Sequence, residues 1–241
     1  KWGLENETIS DIYYEGSGNR NENAFYIGKD YVLKFSANLG KLKNHITISK
    51  ALENAGLFAA TPVKTLEGEE HIADGELYFC LSKRLEGQQI KINNMYEDDL
   101  VGNARFVGEV IGQLSKALEN VEVLVKDANI YESVKNWAIP QLRGKINVSE
   151  EVFVDYVENF GKILKNLPVQ VIHRDSNPGN IIVAEDKWGF IDFELSEKNI
   201  RIFDPCYAAT AILSESFEFG NESKLAKWIQ IYKNIINGYD D

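Results

Sequence analysis

Hydrophobic positions in the first eighty residues come in short runs rich in β-branched and aromatic residues, broken by turn-forming ones, and this texture predicts β-strands. The runs are "ISDIYYE" (Ile9 to Glu15), "AFYIG", "YVLKFS", "TPVKTLE" and "GELYFCLSK". A polar glycine loop, "GSGNRNEN", separates the first two, Lys29-Asp30 turns the second into the third, and a charged turn divides the last two. One helix interrupts the series: between Lys41 and Ala55 the residues Ile48, Ala51, Leu52 and Ala55 share a face, and Gly56 supplies its stop.

Beyond "RLEGQQI" the period lengthens to that of helices. Phe106, Val110, Ile111, Leu114 and Leu118 mark one face of a helix from Glu97 to Leu118. Ile130 to Leu142 predicts a shorter helix disturbed near Pro140, and Phe153, Tyr156, Val157, Phe160, Ile163 and Leu164 predict another that "NLP" ends. Two strands, "VQVIH" and "NIIVA", then lead through the hairpin "NIIVAEDKWGFIDF" to helices near Pro205 to Ser214 and Ser223 to Ile236. The expectation is an α+β chain of two lobes. Residues 1–82 form a small antiparallel lobe of about five strands and one helix, and residues 83–241 form a larger, mainly helical lobe.

Composition narrows the function. Twenty-six Lys and Arg face 37 Asp and Glu, a net charge of −11 in 241 residues, which opposes the attraction to phosphate backbones that nucleic-acid binding requires. No apolar run reaches the length of a membrane span. No secretory pattern opens the chain at Lys1, so Cys80 and Cys206, far apart in apolar contexts, are expected as buried free thiols in a cytoplasmic protein. The three histidines, His45, His71 and His173, lack metal-ligand spacing.

The chemistry concentrates in "VIHRDSNPGNIIV", Val171 to Val183, where polar side chains crowd between two strands. Asn180 follows Asp175 by five residues, and Asp192, in "IDFE", follows Asn180 by twelve. Phosphoryl transfer from a magnesium nucleotide needs a carboxylate to orient the attacking hydroxyl and hard oxygen ligands for the metal. Asp175 suits the first task and Asn180 with Asp192 the second.

"HRDSNPGN" followed by "IDFE" resembles the catalytic and metal loops of the protein-kinase-like superfamily, most closely its aminoglycoside phosphotransferase and choline kinase branch. "FDP", Phe203 to Pro205, comes about ten residues after Asp192 and leaves no room for an activation loop, so the acceptor is expected to be a small molecule. The resemblance implies Mg2+ and ATP or GTP, with nucleotide contacts from Gly16, Ser17 and Gly18 of the glycine loop, the strand lysine Lys34, and backbone groups of Lys83 and Leu85 at the hinge. It also implies that His173 and Asp204 brace the catalytic loop.

In most of the superfamily a helix glutamate pairs with the strand lysine. Here the corresponding position falls near His45, and Glu53 is the only acid on that helix. The resemblance implies a kinase acting on a hydroxyl of a small acceptor of the aminoglycoside, choline or amino-alcohol kind, and a monomer or weak dimer is expected. Its alternative is a catalytically degenerate nucleotide-binding or scaffold protein. Glu194, Tyr207, Glu218 and Trp228 are the candidate acceptor contacts, because carboxylates pair with ammonium groups and aromatic faces attract them.

Overall fold

The computed structural model describes residues 1–13, 18–97 and 99–240. Strands β1 (Ile9–Tyr13), β2 (Arg20–Ile27) and β3 (Tyr31–Ser36) precede helix α1 (Leu39–Asn54). Short strands β4 (Phe58–Ala59), β5 (Pro62–Val63) and β6 (Ile72–Asp74) then lead to the long β7 (Leu77–Lys83). An antiparallel sheet runs β1-β2-β3-β7-β5, with β6 also on β7. It has one strand more than expected, since Ile72–Asp74 lies in the segment read as a charged turn and closes a hairpin on Leu77–Phe79.

Register explains which face of this sheet does chemistry. Tyr26, Val32 and Ser82 are cross-strand partners, and Ala24, Lys34 and Cys80 form the next row on the same face. That face turns inward, with Ala24, Lys34 and Cys80 all buried. Helix α1 packs against it, started by the Asn38 side chain accepting the Lys41 N–H at 3.1 Å. Leu42 and Ile46 of α1 pack with Cys80, while Ile48 and Leu52 belong to the core of the second lobe.

The second lobe is built on α2 (Leu100–Leu118), capped by Asp99. Two helical segments, α3 (residues 130–142) and α4 (residues 150–164), each contain a π-helical turn. In α3 this turn lies just before Pro140, whose missing N–H and ring disturb the regular ladder. Strands β8 (Gln88–Gln89) and β9 (Lys126–Asp127) join two sheets made with β10 (Val169–Ile172), β11 (Ile181–Val183), β12 (Trp188–Phe190) and β13 (Glu197–Ile200). Helices α5 (Phe203–Ser216) and α6 (Glu222–Asp240) complete the fold. α6 packs tightly on α2 because Gly108 and Gly238 let the backbones meet; a Cβ on either would collide with a carbonyl of the facing helix.

β7 ends at Lys83, beside the lobe boundary expected at residue 82. Two features cross it. β4 pairs in parallel with β12 through Phe58↔Gly189 and Ala59↔Phe190, and Ile48, Leu52 and Ala59 share one core with Val107, Ile111 and Ile235. Cys80 is a buried free thiol, but Cys206 is only half-buried, beside the Tyr232 hydroxyl at 3.8 Å. Among the described residues no helix is long and apolar enough to cross a membrane.

Candidate active site

β10 ends at Ile172 and releases the chain into the loop from His173 to Asn177. Asp204, buried at the start of α5, accepts two successive backbone amides of that loop, His173 N–H and Arg174 N–H, both at 2.9 Å. Ser176 adds a third link by donating its hydroxyl to the Asp204 carbonyl at 2.7 Å. Burial pushes the Asp204 carboxyl upward, while the hydrogen bonds from the two amides work to keep it ionised. These bonds hold Arg174 at φ 71, a left-handed conformation unusual for a residue with a side chain. Its Nε reaches Glu197 at 3.1 Å.

The His173 ring is fully buried. Its Nε2 bonds the Ile191 carbonyl at 2.9 Å, and its Nδ1 accepts the Asp175 N–H at 3.3 Å. Phe193 lies against it with centroids 4.7 Å apart. With both nitrogens engaged, His173 joins the Asp175 loop to the strand end before Asp192 through the protein interior.

Asp175 is held from three directions. Its Oδ1 accepts Tyr207 Oη–H at 2.9 Å and Asn177 Nδ2–H at 3.0 Å; its Oδ2 accepts Asn180 Nδ2–H at 3.0 Å. The Asn180 amide also donates to the Asp175 carbonyl at 2.7 Å. The turn Pro178–Asn180 sets that reach, since Pro178 fixes φ and the chain reverses before β11. Tyr207 stacks on Phe203, one helical turn earlier, at 5.8 Å. Burial, and then the charge of Asp175, push the Tyr207 phenol up to about 12, so it remains a donor at neutral pH. Glu215 lies near enough that burial and the Asp175 charge raise its pKa as well.

On the other side of the loop Asp192 sits at φ 67, opening the turn Phe193–Leu195. Lys34 Nζ donates to Asp192 Oδ1 at 2.6 Å and lies 3.1 Å from Glu194 Oε1. Burial opposes the Lys34 charge, but the two carboxylates outweigh it and raise the ammonium pKa. Burial likewise opposes ionisation of Asp192, yet the Lys34 charge and hydrogen bond hold its pKa below the usual range.

A cavity of about 620 Å³ opens between the sheet and the loops, lined by Lys34, Asn180 and Asp192 at one end and by the hinge at the other. Ala60, Leu85 and Ile182 form an apolar cluster against it. At the hinge, Lys83 N–H donates to the Thr61 carbonyl at 3.0 Å, and Arg84 N–H to the Asp30 carbonyl at 2.8 Å. Leu85 N–H has no backbone partner among the described residues. The amide of Lys83 is therefore used internally, and the group it can offer a ligand is its carbonyl. Gly87, at φ 126, packs where a Cβ would strike the Val183 carbonyl, so only glycine closes this hinge.

Lys34, Asn180 and Asp192 thus line one cavity, Asp175 joins it through Asn180, and His173 and Asp204 brace the loop that carries Asp175. Gly16 and Ser17 lie outside the described residues, and Gly18 takes a left-handed φ of 67. Three of the four acceptor candidates have their contacts elsewhere. Glu194 turns toward Lys34 rather than toward Asp175, because its turn docks against α1 through Phe193 and His45. Glu218 is exposed and paired with Lys224 and Asn221. Trp228 faces α5, giving its N–H to the Ala209 carbonyl at 2.7 Å. Only Tyr207 of the four bonds Asp175. The sequence reading missed both the Lys34–Glu194 contact, 160 positions apart, and the role of Asn177 on Asp175; "IDFE" was the one signal for the former.

Among the described residues no group of three or more His, Cys, Asp or Glu could cage a metal. Asn180 and Asp192 instead supply two hard oxygens beside a lysine, a set that fits Mg2+ completed by phosphate oxygens and water.

A sheet lobe and a helical lobe closing on such a cleft define a kinase-like fold. The chain belongs to the phosphotransferase enzyme family, whose family model matches residues 16–229. Solved structures agree on the fold at low identity. Amicoumacin kinase hAmiN, in complex with AMP-PNP, Ca2+ and Ami, is 13% identical with a TM-score of 0.67, covering 96% of this chain and 72% of its own. The GDP and kanamycin complex of APH(2")-IIia is 15% identical with a TM-score of 0.61, covering 97% and 83%. A choline/ethanolamine kinase family protein from Mesorhizobium loti is 14% identical with a TM-score of 0.55, covering 95% and 76%. No curated protein matches the chain by sequence.

Proposed function

We propose that this chain transfers the γ-phosphate of ATP or GTP to a hydroxyl of a small acceptor, with a cationic group on that acceptor favoured. One observation carries the reading: Asn180 Nδ2 holds Asp175 Oδ2 at 3.0 Å while Lys34 holds Asp192 at 2.6 Å, and Lys34, Asn180 and Asp192 line one cavity. Asp175 would accept the hydrogen bond of the attacking hydroxyl and take its proton as the bond to phosphorus forms. Lys34 would draw the donor phosphates against the sheet, where burial leaves its charge weakly screened. Asn180 and Asp192 would hold Mg2+, which neutralises charge on the phosphate oxygens. The Lys83 carbonyl and Leu85 N–H match the donor and acceptor edge of a purine. The alternative of a degenerate scaffold rested on the missing helix acid, and a carboxylate 3.1 Å from Lys34 removes that support.

Release of ADP or GDP, measured over amines, amino alcohols, aminoglycosides and sugars, tests the reading. The expected result is one acceptor class with turnover well above nucleotide hydrolysis alone, lost when magnesium is chelated. In calorimetry, Asp192→Ala is expected to abolish the magnesium-dependent part of nucleotide binding. Equal affinity with and without magnesium in both proteins would remove the metal assignment.

A further inference from the structure

Helix α1 brings His45, not an acid, to the back of the cleft. The imidazole is buried and lines the nucleotide cavity, and its Nδ1 has no hydrogen-bond partner among the described residues. Burial first, and then the Lys34 charge, hold its pKa down to about 3, so it is neutral at physiological pH. A neutral ring cannot fix an ammonium group by charge. Lys34 nevertheless needs a fixed carboxylate, because a four-carbon stem with no partner samples many rotamers and loses its aim at a phosphate.

Two carboxylates are within reach, and they are not equivalent. Asp192 receives the short hydrogen bond, but Asp192 is also one of the two proposed metal ligands. A lysine held by Asp192 alone would compete with the cation for the same oxygen. Glu194 is the carboxylate left over. Its side chain is only 11% exposed, its Oε1 is buried with no aligned hydrogen-bond donor, and its close cation is Lys34 at 3.1 Å. The turn that carries it is fixed by its neighbours: Phe193 is fully buried, its ring tilted against His173 at 4.7 Å and facing His45 at 6.2 Å.

We propose that Glu194 is the positioning residue that aims Lys34 at the donor phosphates, in place of the acid that α1 lacks at His45. The ion pair that elsewhere links strand and helix here links strand β3 to the turn bearing Asp192. Placement of the lysine and of the metal ligand would then depend on one three-residue turn. This inference rests on the phosphotransferase reading and deepens it.

The test uses Glu194→Gln, which keeps shape and removes charge, and the double variant Glu194→Gln with His45→Glu, which returns an acid on the helix. Wild type and variants are compared in nucleotide hydrolysis and Mg-ATP and Mg-GTP calorimetry. Lys34 acylation by acetic anhydride, followed by peptide mass mapping across pH 7–10, reports the amine without any nucleotide. Losing a charge-assisted contact predicts a nucleotide affinity about 10- to 100-fold weaker in Glu194→Gln, faster Lys34 acylation, and an unchanged magnesium requirement. The double variant should recover most of both losses, which a merely misfolded loop would not do. Glu194→Gln with wild-type affinity and wild-type acylation overturns the inference. So does a raised magnesium requirement with acylation unchanged, which would make Glu194 a metal ligand. If the wild type binds no nucleotide, the proposed function fails, and acylation still decides whether Glu194 holds Lys34.

Discussion

At the proposed nucleotide end of the cleft, Lys34 is 9% exposed and has two carboxylates within 3.1 Å. At the helical end, where α5 carries Tyr207, Glu215 is solvent-exposed and the following loop leaves Phe219 97% exposed. The first end is made of buried charges that partner one another; the second is made of single side chains spaced along helices. The physical demand differs in the same way. A triphosphate and a purine present fixed charge and a fixed edge, so preorganised buried groups act on them with little screening and little reorganisation. On the proposed function, an acceptor would need only its hydroxyl delivered to Asp175, and the rest of its surface could be met by residues that vary without disturbing the fold.

Asp175 stands where the two ends meet, and replacing it produces the largest expected effect. Asp175→Asn keeps a partner for Tyr207 and Asn180 but cannot take a proton, so turnover should fall by roughly 10² to 10⁴. Mg-nucleotide affinity should stay near wild type, because Lys34, Asp192 and the hinge are untouched. Calorimetry beside the release assay reads both. A parallel collapse of nucleotide binding would mean that the two ends are not separable in the way the geometry suggests.

Tyr207→Phe is expected to act more mildly and on the acceptor side alone. It removes one neutral donor from Asp175 Oδ1 while Asn177 and Asn180 remain. The loss of one hydrogen bond to a charged group corresponds to about a tenfold fall in kcat/KM for the acceptor. A change in nucleotide KM with no change in the acceptor kcat/KM would assign Tyr207 to packing.

How much of this was legible beforehand follows the same division. Asp175, Asn180 and Asp192 stand out in sequence because the residues are close along the chain and bounded by short apolar strands, so spacing alone carries the geometry. The α+β class was readable because short β-branched runs give way to helical periods around residues 82 to 88. The partner of Lys34 was not readable, since 160 residues separate Lys34 from Glu194 and only the docking of Phe193 onto α1 brings them together. The sixth strand was hidden for a local reason. Ile72–Asp74 is three residues long and is a strand only through pairing with β7. The acceptor residues were read from composition, and charge or aromaticity alone does not say which way a helix turns a side chain; Trp228 turns inward and Glu218 turns to solvent.

Glu218 gives the smallest effect and the sharpest control on the helical end. Its carboxylate is exposed and bonded to Lys224 at 2.6 Å and Asn221 at 2.8 Å, beyond α5. Those partners hold its pKa below the usual range. An exposed pair of this kind contributes little to stability, and no hydrogen bond or ion pair joins it to Asp175 among the described residues. Glu218→Ala should therefore leave kcat and both KM values within about twofold of wild type, the scale of an ordinary surface change. A rise in acceptor KM confined to cationic acceptors, which vanished at high salt, would instead place this loop over the acceptor. It would extend the acceptor end past α5 to the exposed Phe217 and Phe219 on either side of Glu218.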